Sequence, residues 1–360
     1  MTPDRCQFFV PGPSWVRPEI LAEMSRPMIG HRSSEFREIF SNVLEDVASL
    51  FGTRQHAFVA TSSGTGILEA AMINCVPRSV LVTTNGAFSE RWRETAERLG
   101  LEVDHFSAEW GSAIDPVALA DFIASRHHKY DAVTITHNET STGVMNCLEG
   151  LARTIRETAP EALILVDAVS SLACTPIRFD DWGLDVCLAS VQKGLSLPPG
   201  ATVFAVSERA MKRAEAKPYR GMYFDFLEFR RRAERREPLF TPPIPHIYAL
   251  EKQLEAILRH ETLTRRWERH RDMQRMTQER LASVADLAPS PDVASVSLSA
   301  LRPRTMTGPE VVSKMKQRGF TIGGGYGHWK EETFRIGHMG DVSLEDLSAM
   351  LEVMEEVLGS

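Results

Sequence analysis

The sequence predicts an α/β protein with a large, mostly parallel-sheet domain followed by a smaller C-terminal α+β domain. The chain has 360 residues, which is more than one small hydrophobic core needs. From residue 33 to about residue 207, short apolar segments alternate with helical patterns, as is typical of crossover units in a parallel sheet. After Pro245 the pattern becomes charge-rich and helical. We therefore expect an N-terminal segment at 1–16, a large domain at 17–258 and a small domain at 259–360.

The elements of the large domain follow from hydrophobic periodicity. Apolar residues recur at helical spacing in some segments and form short continuous runs, typical of buried strands, in others. Helices are predicted at Glu35–Phe51, Gly66–Asn74, Glu90–Leu99 and Pro116–Arg126. Strands are predicted at Ala57–Ala60, Val80–Thr83, Glu102–Phe106, Ala132–Thr136, Ala162–Val166 and Val186–Ala189.

The small domain is predicted to begin with a long connecting helix. The segment from Ile247 to about Leu287 contains no Pro or Gly and is periodic throughout, so no local signal ends it. A Gly-rich turn is expected before the last extended segment. The later elements are predicted at Val293–Ala300 (extended), Gly308–Arg318 (helix), Thr333–Gly337 (extended) and Leu344–Leu358 (helix).

Composition and charge exclude several classes of protein. Hydrophobic residues make up 43% of the chain, and 41 basic residues against 48 acidic ones give a net charge of -7. These values are not those of a disordered chain or a collagen, and they predict no general attraction to nucleic acid or to an anionic membrane. The basic run at 230–236 is interleaved with glutamates and predicts a solvated helix face. The alternatives are an anion site or active-site rim and, least of all, a nucleic-acid site.

The cysteines predict a reducing compartment. Their number is odd, they are scattered, and no C-x-x-C pair occurs, so we expect buried free thiols. The N-terminus lacks the apolar region of a secretory signal, and no apolar run approaches the roughly 18 residues of a membrane span. We therefore expect a soluble cytoplasmic protein. The cysteines are Cys6, Cys75, Cys147, Cys174 and Cys187.

Common catalytic motifs are missing from the sequence. There is no G-x-G-x-x-G after a strand, no Walker A lysine motif and no G-x-S-x-G elbow. His260 and Glu261 begin an H-E-x-x-H pattern, but Thr264 stands where the second histidine is needed. A zinc site is therefore not predicted.

Two polar residues at strand ends predict a pyridoxal phosphate site. Asp167 ends an apolar strand, at the sheet edge where open α/β sheets bind ligands; the alternative for it is a helix N-cap. Lys193 follows the next predicted strand, where burial lowers the pKa of an amine and makes it a nucleophile. Pyridoxal phosphate needs such a lysine for a Schiff base and a carboxylate beside its pyridine nitrogen.

A phosphate cradle is predicted between the first strand and its helix. Residues 61–66 read Thr-Ser-Ser-Gly-Thr-Gly. Small residues let backbone N–H groups approach a phosphate, the hydroxyls add donors, and a helix N-terminus contributes positive potential. An N-cap alone would explain one hydroxyl residue but not four.

These motifs resemble the class V aminotransferases, which are fold type I pyridoxal-phosphate enzymes. The similarity is closest to the alanine–glyoxylate and serine–glyoxylate aminotransferase branch. It runs in order along essentially the whole chain and rests on several motifs together. They are Val-Pro-Gly-Pro-Ser (10–14), Gly-His-Arg-Ser-x-Glu-Phe (30–36), Ser-Gly-Thr-Gly-x-Leu-Glu-Ala-Ala (63–71), His-Asn-Glu-Thr-Ser-Thr-Gly (137–143), Val-Asp-Ala-Val-Ser-Ser (166–171), Ser-Val-Gln-Lys-Gly (190–194) and Phe-Arg-Ile-Gly-His-Met-Gly (334–340).

The resemblance implies a role for each matching residue. Lys193 would form the Schiff base and carry the proton between the substrate Cα and the cofactor, and Asp167 would pair with the pyridine nitrogen. Arg335 would bind the substrate carboxylate, and Gly12 would line the substrate pocket. The remaining cofactor contacts implied are Ser63, Gly64, Thr65 and Gln192 at the phosphate, Thr140 on the side of the phenolic oxygen, and Phe88, in place of the family's frequent tryptophan, stacked on the ring.

The resemblance also implies a homodimer with shared active sites. Thr241 matches the threonine with which one subunit contacts the phosphate bound by its partner. The tyrosine that often stands three positions earlier is Pro238 here, which removes one expected phosphate contact. His31 and Arg32 would reach the site mouth, or else they belong to a loop before a helix capped by Ser33 or Ser34.

The function implied is transfer of an amino group from a small amino acid, of the alanine or serine type, to a 2-oxo acid such as glyoxylate or pyruvate. Alternatives within the family are another amine, such as an aminophosphonate, pyridoxamine or aspartate. A lyase or desulfurase would need a catalytic cysteine in the C-terminal domain, but none follows Cys187. A non-catalytic protein of this fold would be expected to lack Lys193, Asp167 or Arg335, and all three are present.

Overall fold

The computed structural model of the chain describes residues 7–127 and 129–359. The strands are β1 Phe8–Phe9, β2 His56–Ala60, β3 Ser79–Thr84, β4 Glu102–Ser107, β5 Ala132–Thr136, β6 Asn138–Glu139, β7 Val144–Met145, β8 Leu163–Asp167, β9 Val186–Ser190, β10 Thr202–Val206, β11 Ala285–Leu287, β12 Leu298–Pro303, β13 Thr321–Gly324 and β14 Phe334–Gly337. The helices are α1 Pro18–Glu23, α2 Ser34–Phe51, α3 Gly64–Cys75, α4 Glu90–Arg98, α5 Pro116–Ala124, α6 Leu148–Thr158, α7 Glu208–Glu215, α8 Phe226–Ala233, α9 Ile244–Glu255, α10 Leu263–Leu281, α11 Gly308–Gln317 and α12 Leu344–Gly359.

The larger sheet has seven strands in the order β2-β10-β9-β8-β5-β3-β4. The pairs from β9 through β8, β5 and β3 to β4 are all parallel, whereas β10 is antiparallel to both of its neighbours. This confirms the predicted large, mostly parallel sheet. Because β8 and β9 are adjacent and parallel, their carboxyl ends lie side by side.

Apolar clusters cover both faces of this sheet, which explains why its strands are hydrophobic without alternation. One cluster joins side chains of α2, α5, α6 and α9 to one face of the sheet. The other joins α3, α4, α7 and α8 to the opposite face. Burial of both faces makes the sheet a fixed platform for residues at its edge.

The smaller sheet has five strands in the order β1-β13-β14-β12-β11. Helices α10, α11 and α12 contribute to its apolar core. β1, from the N-terminal segment, pairs parallel with β13, so this segment is part of the C-terminal sheet. The chain then continues through Pro11 and Gly12 toward the edge of the larger sheet.

The prediction of one helix from 247 to 287 is wrong. α9 ends at Glu255, a π-helical turn spans Ala256–Glu261, and Thr262 has a φ of 70° that breaks the helix. The Thr262 side chain then accepts a hydrogen bond from the Arg265 N–H at the start of α10. No glycine or proline marks this break. The predicted division at 258 and 259 falls within the π-helical turn and stays a prediction.

Two smaller predictions also need correction. The extended stretch expected at 293–300 begins as a 3-10 turn at Pro291–Val293, and β12 starts only at Leu298. The first two glycines of the expected Gly-rich turn belong to β13. Elements that the periodicity did not assign individually include α6, α7 and β10.

The cysteine prediction holds only in part. Cys75, Cys174 and Cys187 are free and buried, whereas Cys147 is free and exposed, because it precedes α6 at the surface. Cys6 lies outside the described residues. Within the ranges 7–127 and 129–359, no helix is both long and apolar enough to cross a membrane.

Candidate active site

A cavity of about 290 Å³ opens at the carboxyl edge of the larger sheet. Both Asp167 and Lys193 line it, at the ends of β8 and β9. The predicted site residues that line this cavity are Gly12, Ser63, Gly64, Thr65, Phe88, Thr140, Asp167, Gln192 and Lys193. Further residues that were not predicted as site residues also line the cavity, among them Arg91, Asn138, Ser170 and Ser190.

Lys193 presents a buried amine with a lowered pKa. It lies in the turn after β9, and its Nζ donates a hydrogen bond to the Pro11 carbonyl. Burial, reinforced by the positive charge of Arg335, lowers the pKa of Lys193 to about 8, although Asp167 opposes the shift. A substantial neutral fraction is therefore present near neutral pH, as a nucleophilic amine requires.

Asp167 presents a carboxylate to the same cavity. Its Oδ1 accepts a hydrogen bond from the Val169 N–H at 2.8 Å. Burial, with a contribution from Glu139, raises the pKa of Asp167 to about 6. In the described chain no α-helix begins directly after Asp167, so the N-cap alternative is wrong.

The loop between β2 and α3 brings the N-terminus of a helix to the cavity, which Ser63, Gly64 and Thr65 line. Helix α3 begins at Gly64, two residues earlier than predicted, and the N-cap Ser63 makes no side-chain capping bond. The first N–H groups of any helix lack intrahelical partners and attract anions. A Cβ on Gly64 would lie 2.7 Å from the Ser190 Oγ, so only glycine fits there. Gln192 also lines the cavity; its amide oxygen is buried without a partner among the described residues, and its amide N–H groups can donate to an anion. This arrangement fits a phosphate group.

Phe88 is fixed at the cavity by a buried carboxylate. Glu139 accepts hydrogen bonds from the N–H groups of Phe88, at 3.1 Å, and Ser89, at 2.7 Å. The Phe88 ring lies 5.1 Å from the ring of Tyr326 and 4.6 Å from the guanidinium of Arg91. A flat ligand in the cavity therefore meets an aromatic side chain that is held in place. The motif at 137–143 contained Glu139, but only the folded chain relates it to Phe88.

Thr140 belongs to a hydroxyl and amide cluster on the cavity wall. Its hydroxyl lies 2.6 Å from the Ser170 Oγ. Asn138 donates to the Ser170 carbonyl at 2.9 Å and to the Ser297 Oγ at 2.8 Å. The Asn138 amide oxygen is buried and has no partner within the described ranges. The cluster can therefore offer polar contacts to a ligand oxygen.

Arg335 lies behind the cavity wall rather than on it. From β14 its Nη1 donates to the Thr140 carbonyl at 2.9 Å, and its Nε donates to the Gly324 carbonyl at 2.7 Å. Burial lowers the pKa of Arg335 to about 10, so the guanidinium stays charged at neutral pH. The fold thus brings this residue of the small sheet next to Thr140, which lines the cavity.

Three other predicted residues do not reach this cavity. Thr241 is exposed and does not line the cavity of its own chain. His31 and Arg32 are also absent from the lining, while the Ser33 hydroxyl accepts from the Phe36 N–H at 3.1 Å and caps α2. The predicted helix cap at Ser33 is therefore confirmed, whereas the role of His31 and Arg32 at a site mouth stays a prediction.

The basic run forms ion pairs on the outside of the fold. Arg230 pairs with Glu215 at 2.7 Å and Arg232 with Glu237 at 3.2 Å. The predicted solvated helix face is confirmed only in part, because these two arginines are half-buried and α8 ends at Ala233, before the exposed Arg235 and Arg236. Elsewhere, the described residues contain no group of three or more His, Cys, Asp or Glu side chains that could hold a metal ion.

Comparison with known proteins gives a consistent family assignment. Residues 19–328 match the family model described as aminotransferase class V. The serine–glyoxylate aminotransferase of Methylorubrum extorquens is 33% identical over 354 residues, covering 95% of this chain and 88% of that protein. A protein of Synechococcus sp. described as the small subunit of a soluble hydrogenase is 33% identical over 360 residues, covering 99% and 93%.

The fold is also that of a solved structure. The crystal structure of alanine–glyoxylate aminotransferase from Nostoc sp. superposes with a TM-score of 0.92 at 28% identity, covering 99% of this chain and 96% of that one. The family match itself begins after Gly12 and ends before Arg335. Gly12 and Arg335 therefore lie outside the family match, and the comparisons that cover 99% of the chain support them instead.

Proposed function

The chain belongs to the class V aminotransferases, and from this premise we propose that it moves an amino group from a small amino acid, such as alanine or serine, to glyoxylate or pyruvate. We further propose pyridoxal 5'-phosphate as its cofactor. The names of the aminotransferase relatives support the choice of glyoxylate as acceptor. Aminophosphonate, pyridoxamine or aspartate as amino donor is the alternative, and the experiment below separates them.

The observation that carries the proposal is the pair of Lys193 and Asp167 in one cavity. When bound, the cofactor would supply an electron sink for the electrons of the bond broken at the substrate Cα. Lys193, with a pKa near 8, would hold the cofactor covalently and then accept and return the Cα proton. Asp167 would keep the proton on the pyridine nitrogen.

The other site residues would hold the cofactor and the substrate in place. Ser63, Gly64, Thr65 and Gln192 would bind the phosphate, and Phe88 would stack on the ring. Arg335 would bind the substrate carboxylate, because a charged guanidinium fixed through Thr140 keeps its fork oriented. Thr140 would contact the phenolic oxygen, and Gly12 would allow the substrate to approach closely.

We propose a homodimer in which Thr241 completes the phosphate site of the partner. The exposed loop before α8 supports a second copy, since Tyr219, Met222 and Tyr223 are 85%, 78% and 47% exposed. Such exposed apolar side chains are typical of interfaces. The Tyr223 ring stacks on Phe240, next to Thr241, at 4.9 Å. We also propose a cytoplasmic location, supported by three buried free cysteines.

The hydrogenase name of the Synechococcus relative is not carried over to this chain. The cavity offers an amine, a carboxylate and anion-binding donors, which is the set that amino transfer through pyridoxal phosphate requires.

The first test is the visible absorption spectrum of the purified protein reconstituted with pyridoxal phosphate. We expect a band that shifts on addition of L-alanine and returns on addition of glyoxylate. Lys193→Ala should lose this band and all turnover yet keep its fold, whereas Lys252→Ala, which removes a surface ion pair with Glu255, should behave like the unmodified protein.

The other outcomes of this test are informative. A band that ignores alanine and serine but responds to another amine would overturn the proposed donor and keep the cofactor. No band after reconstitution, or a Lys193→Ala variant with unchanged turnover, would overturn the proposed function.

A further inference from the structure

The loop that carries Lys193 is tied to a buried arginine from α10. Arg266 is 1% exposed, and its Nη2 donates to the Gly194 carbonyl at 2.7 Å and to the Asp341 Oδ1 at 3.0 Å. Its Nη1 donates to Glu261 at 2.6 Å. One guanidinium thus bonds both to the residue that follows Lys193 and to an acidic residue of the small domain.

Asp341 collects contacts from three other parts of the chain. Its Oδ2 accepts from the Arg17 Nε at 2.7 Å, and its carboxylate accepts from the Gln253 Nε2 at 2.9 Å. Its own N–H donates to the Ser196 Oγ at 2.9 Å, in the lysine loop. Burial alone would raise the pKa of Asp341, but Arg266 and Arg17 hold it below its usual value. The carboxylate is therefore charged at neutral pH.

Asp341 is also close in the chain to the proposed carboxylate-binding residue. It lies six positions after Arg335, in the turn that follows β14. This turn is held on its other side, because the Gly340 N–H donates to the His270 Nε2 at 3.1 Å and Arg269 donates to the Gly340 carbonyl at 3.0 Å. The end of β14 is thus fixed to α10.

The lysine loop has a matching support from the N-terminal segment. The Ser14 hydroxyl donates to the Lys193 carbonyl at 2.8 Å, and the Ser14 N–H donates to the Gln192 carbonyl at 2.9 Å. Arg17, three residues later, reaches Asp341. A continuous set of hydrogen bonds therefore joins the backbone at Lys193 to the turn after Arg335.

We propose that Arg266 and Asp341 are positioning residues, which set the distance between the Lys193 amine and the Arg335 guanidinium. An α-amino acid must place its carboxylate on the Arg335 guanidinium and its Cα hydrogen at the Lys193 amine. These two groups come from different sheets. A buried ion pair that bonds to both sides is suited to this task, because a displacement of about 1 Å can cost about a hundredfold in rate. The inference rests on the proposed function.

A second ion pair provides the control. Arg280, also on α10, donates to Glu355 of α12 at 2.8 Å. This pair joins α10 to α12 within the small domain, and it touches neither the lysine loop nor the turn after β14. Its side chains are 27% and 36% exposed, and its loss removes an ion pair of α10 without the proposed positioning contact.

The test compares Asp341→Asn with Glu355→Gln in enzyme loaded with pyridoxal phosphate. One readout is kcat/KM for alanine, which depends on both Lys193 and Arg335. The other is the rate at which methoxyamine, an amine without a carboxylate, displaces the bound cofactor from Lys193, followed by absorbance. Asp341→Asn should lower kcat/KM for alanine about tenfold or more while methoxyamine capture stays within about twofold. Glu355→Gln should change neither.

Two results would overturn the inference. If Asp341→Asn lowers both rates equally, the network supports only the lysine loop or the fold. If it lowers neither, the network has no positioning role. Should Asp341→Asn fail to fold, Arg266→Lys keeps the charge but loses the fork, and the same split between the two rates is expected. Failure of the proposed function would appear separately, as unmodified protein that shows no cofactor band or no response to alanine.

Discussion

Gly12 lies directly against the side chain of Lys193, and no space separates them for a methyl group. A Cβ on Gly12 would overlap the Nζ, Cε and Cδ atoms of the lysine. Gly12 also has a φ of +125°, which disfavours any residue with a side chain. The N-terminal Pro-Gly-Pro turn therefore brings the chain against the proposed catalytic amine, and any side chain at position 12 would have to displace that amine as well as adopt a disfavoured φ.

Gly12→Ala should displace Lys193 and lower kcat/KM by about a hundredfold or more. The control is Gly100→Ala, since Gly100 also has a positive φ, of +70°, but an added Cβ meets no atom within 4 Å. Both variants should lose about 1 kcal/mol or more of stability through backbone strain. Steady-state kinetics measures the loss of activity, and urea unfolding measures the loss of stability through backbone strain. Equal activity of the two variants would refute the proposed overlap.

Asp167→Asn should stabilise the cofactor-free protein above pH 6. Because burial raises the pKa of Asp167 from 3.8 to about 6, the folded state binds the proton more tightly than the unfolded state between these values. Stability of the unmodified protein therefore falls as pH rises through this window. The variant does not lose this stability, because asparagine does not titrate. The gain should reach up to about 3 kcal/mol at pH 8 and shrink at pH 5.

Urea unfolding of the cofactor-free proteins at these two pH values measures the gain. The variant should at the same time lose turnover with cofactor, because asparagine cannot hold the pyridine nitrogen protonated. A variant that is less stable at pH 8 would show that the Asp167 carboxylate is not destabilised by burial.

Arg335→Ala should chiefly weaken binding of the substrate carboxylate. The guanidinium is nine-tenths buried and charged, so removing it should cost roughly 2–5 kcal/mol in kcat/KM for alanine. Capture of the bound cofactor by methoxyamine should change little. Arg302→Ala is the control, because Arg302 instead lies over the Trp329 ring at 4.5 Å. Unchanged KM values for every amino acid tested would exclude the role of Arg335.

Mixing two variants with different defects should test the shared site. Thr241→Ala should bind pyridoxal phosphate more weakly, and Lys193→Ala should be inactive. After subunit exchange at limiting cofactor, a hybrid dimer holds one site with Lys193 of one chain and Thr241 of the other, so about a quarter of the full activity should return. Lys193→Ala mixed with Arg335→Ala should show no such recovery, because both residues serve the site of their own chain. Recovery in neither mixture would contradict the shared site.

Much of the site could be predicted because its residues stand at strand ends. Asp167 and Lys193 each follow an apolar strand, and parallel neighbours bring such ends together at one edge. The phosphate cradle at 63–65 could be predicted for a similar reason, since it joins a strand directly to a helix. The exposure of Thr241 and the position of Arg335 behind the cavity wall had no counterpart in local pattern.

The sequence by itself determined which segments form the parallel sheet and which polar residues stand at its edge, because alternation and periodicity are local consequences of burial. Only the tertiary structure decided that β1 joins the C-terminal sheet and that Gly12 meets Lys193. It alone also broke the helix at Thr262 and placed Arg266 beside Gly194. These relationships join residues far apart in the chain, or depend on neighbours packed against them. Their energy comes from how the two sheets and the connecting helices fit together, and no local pattern records that fit.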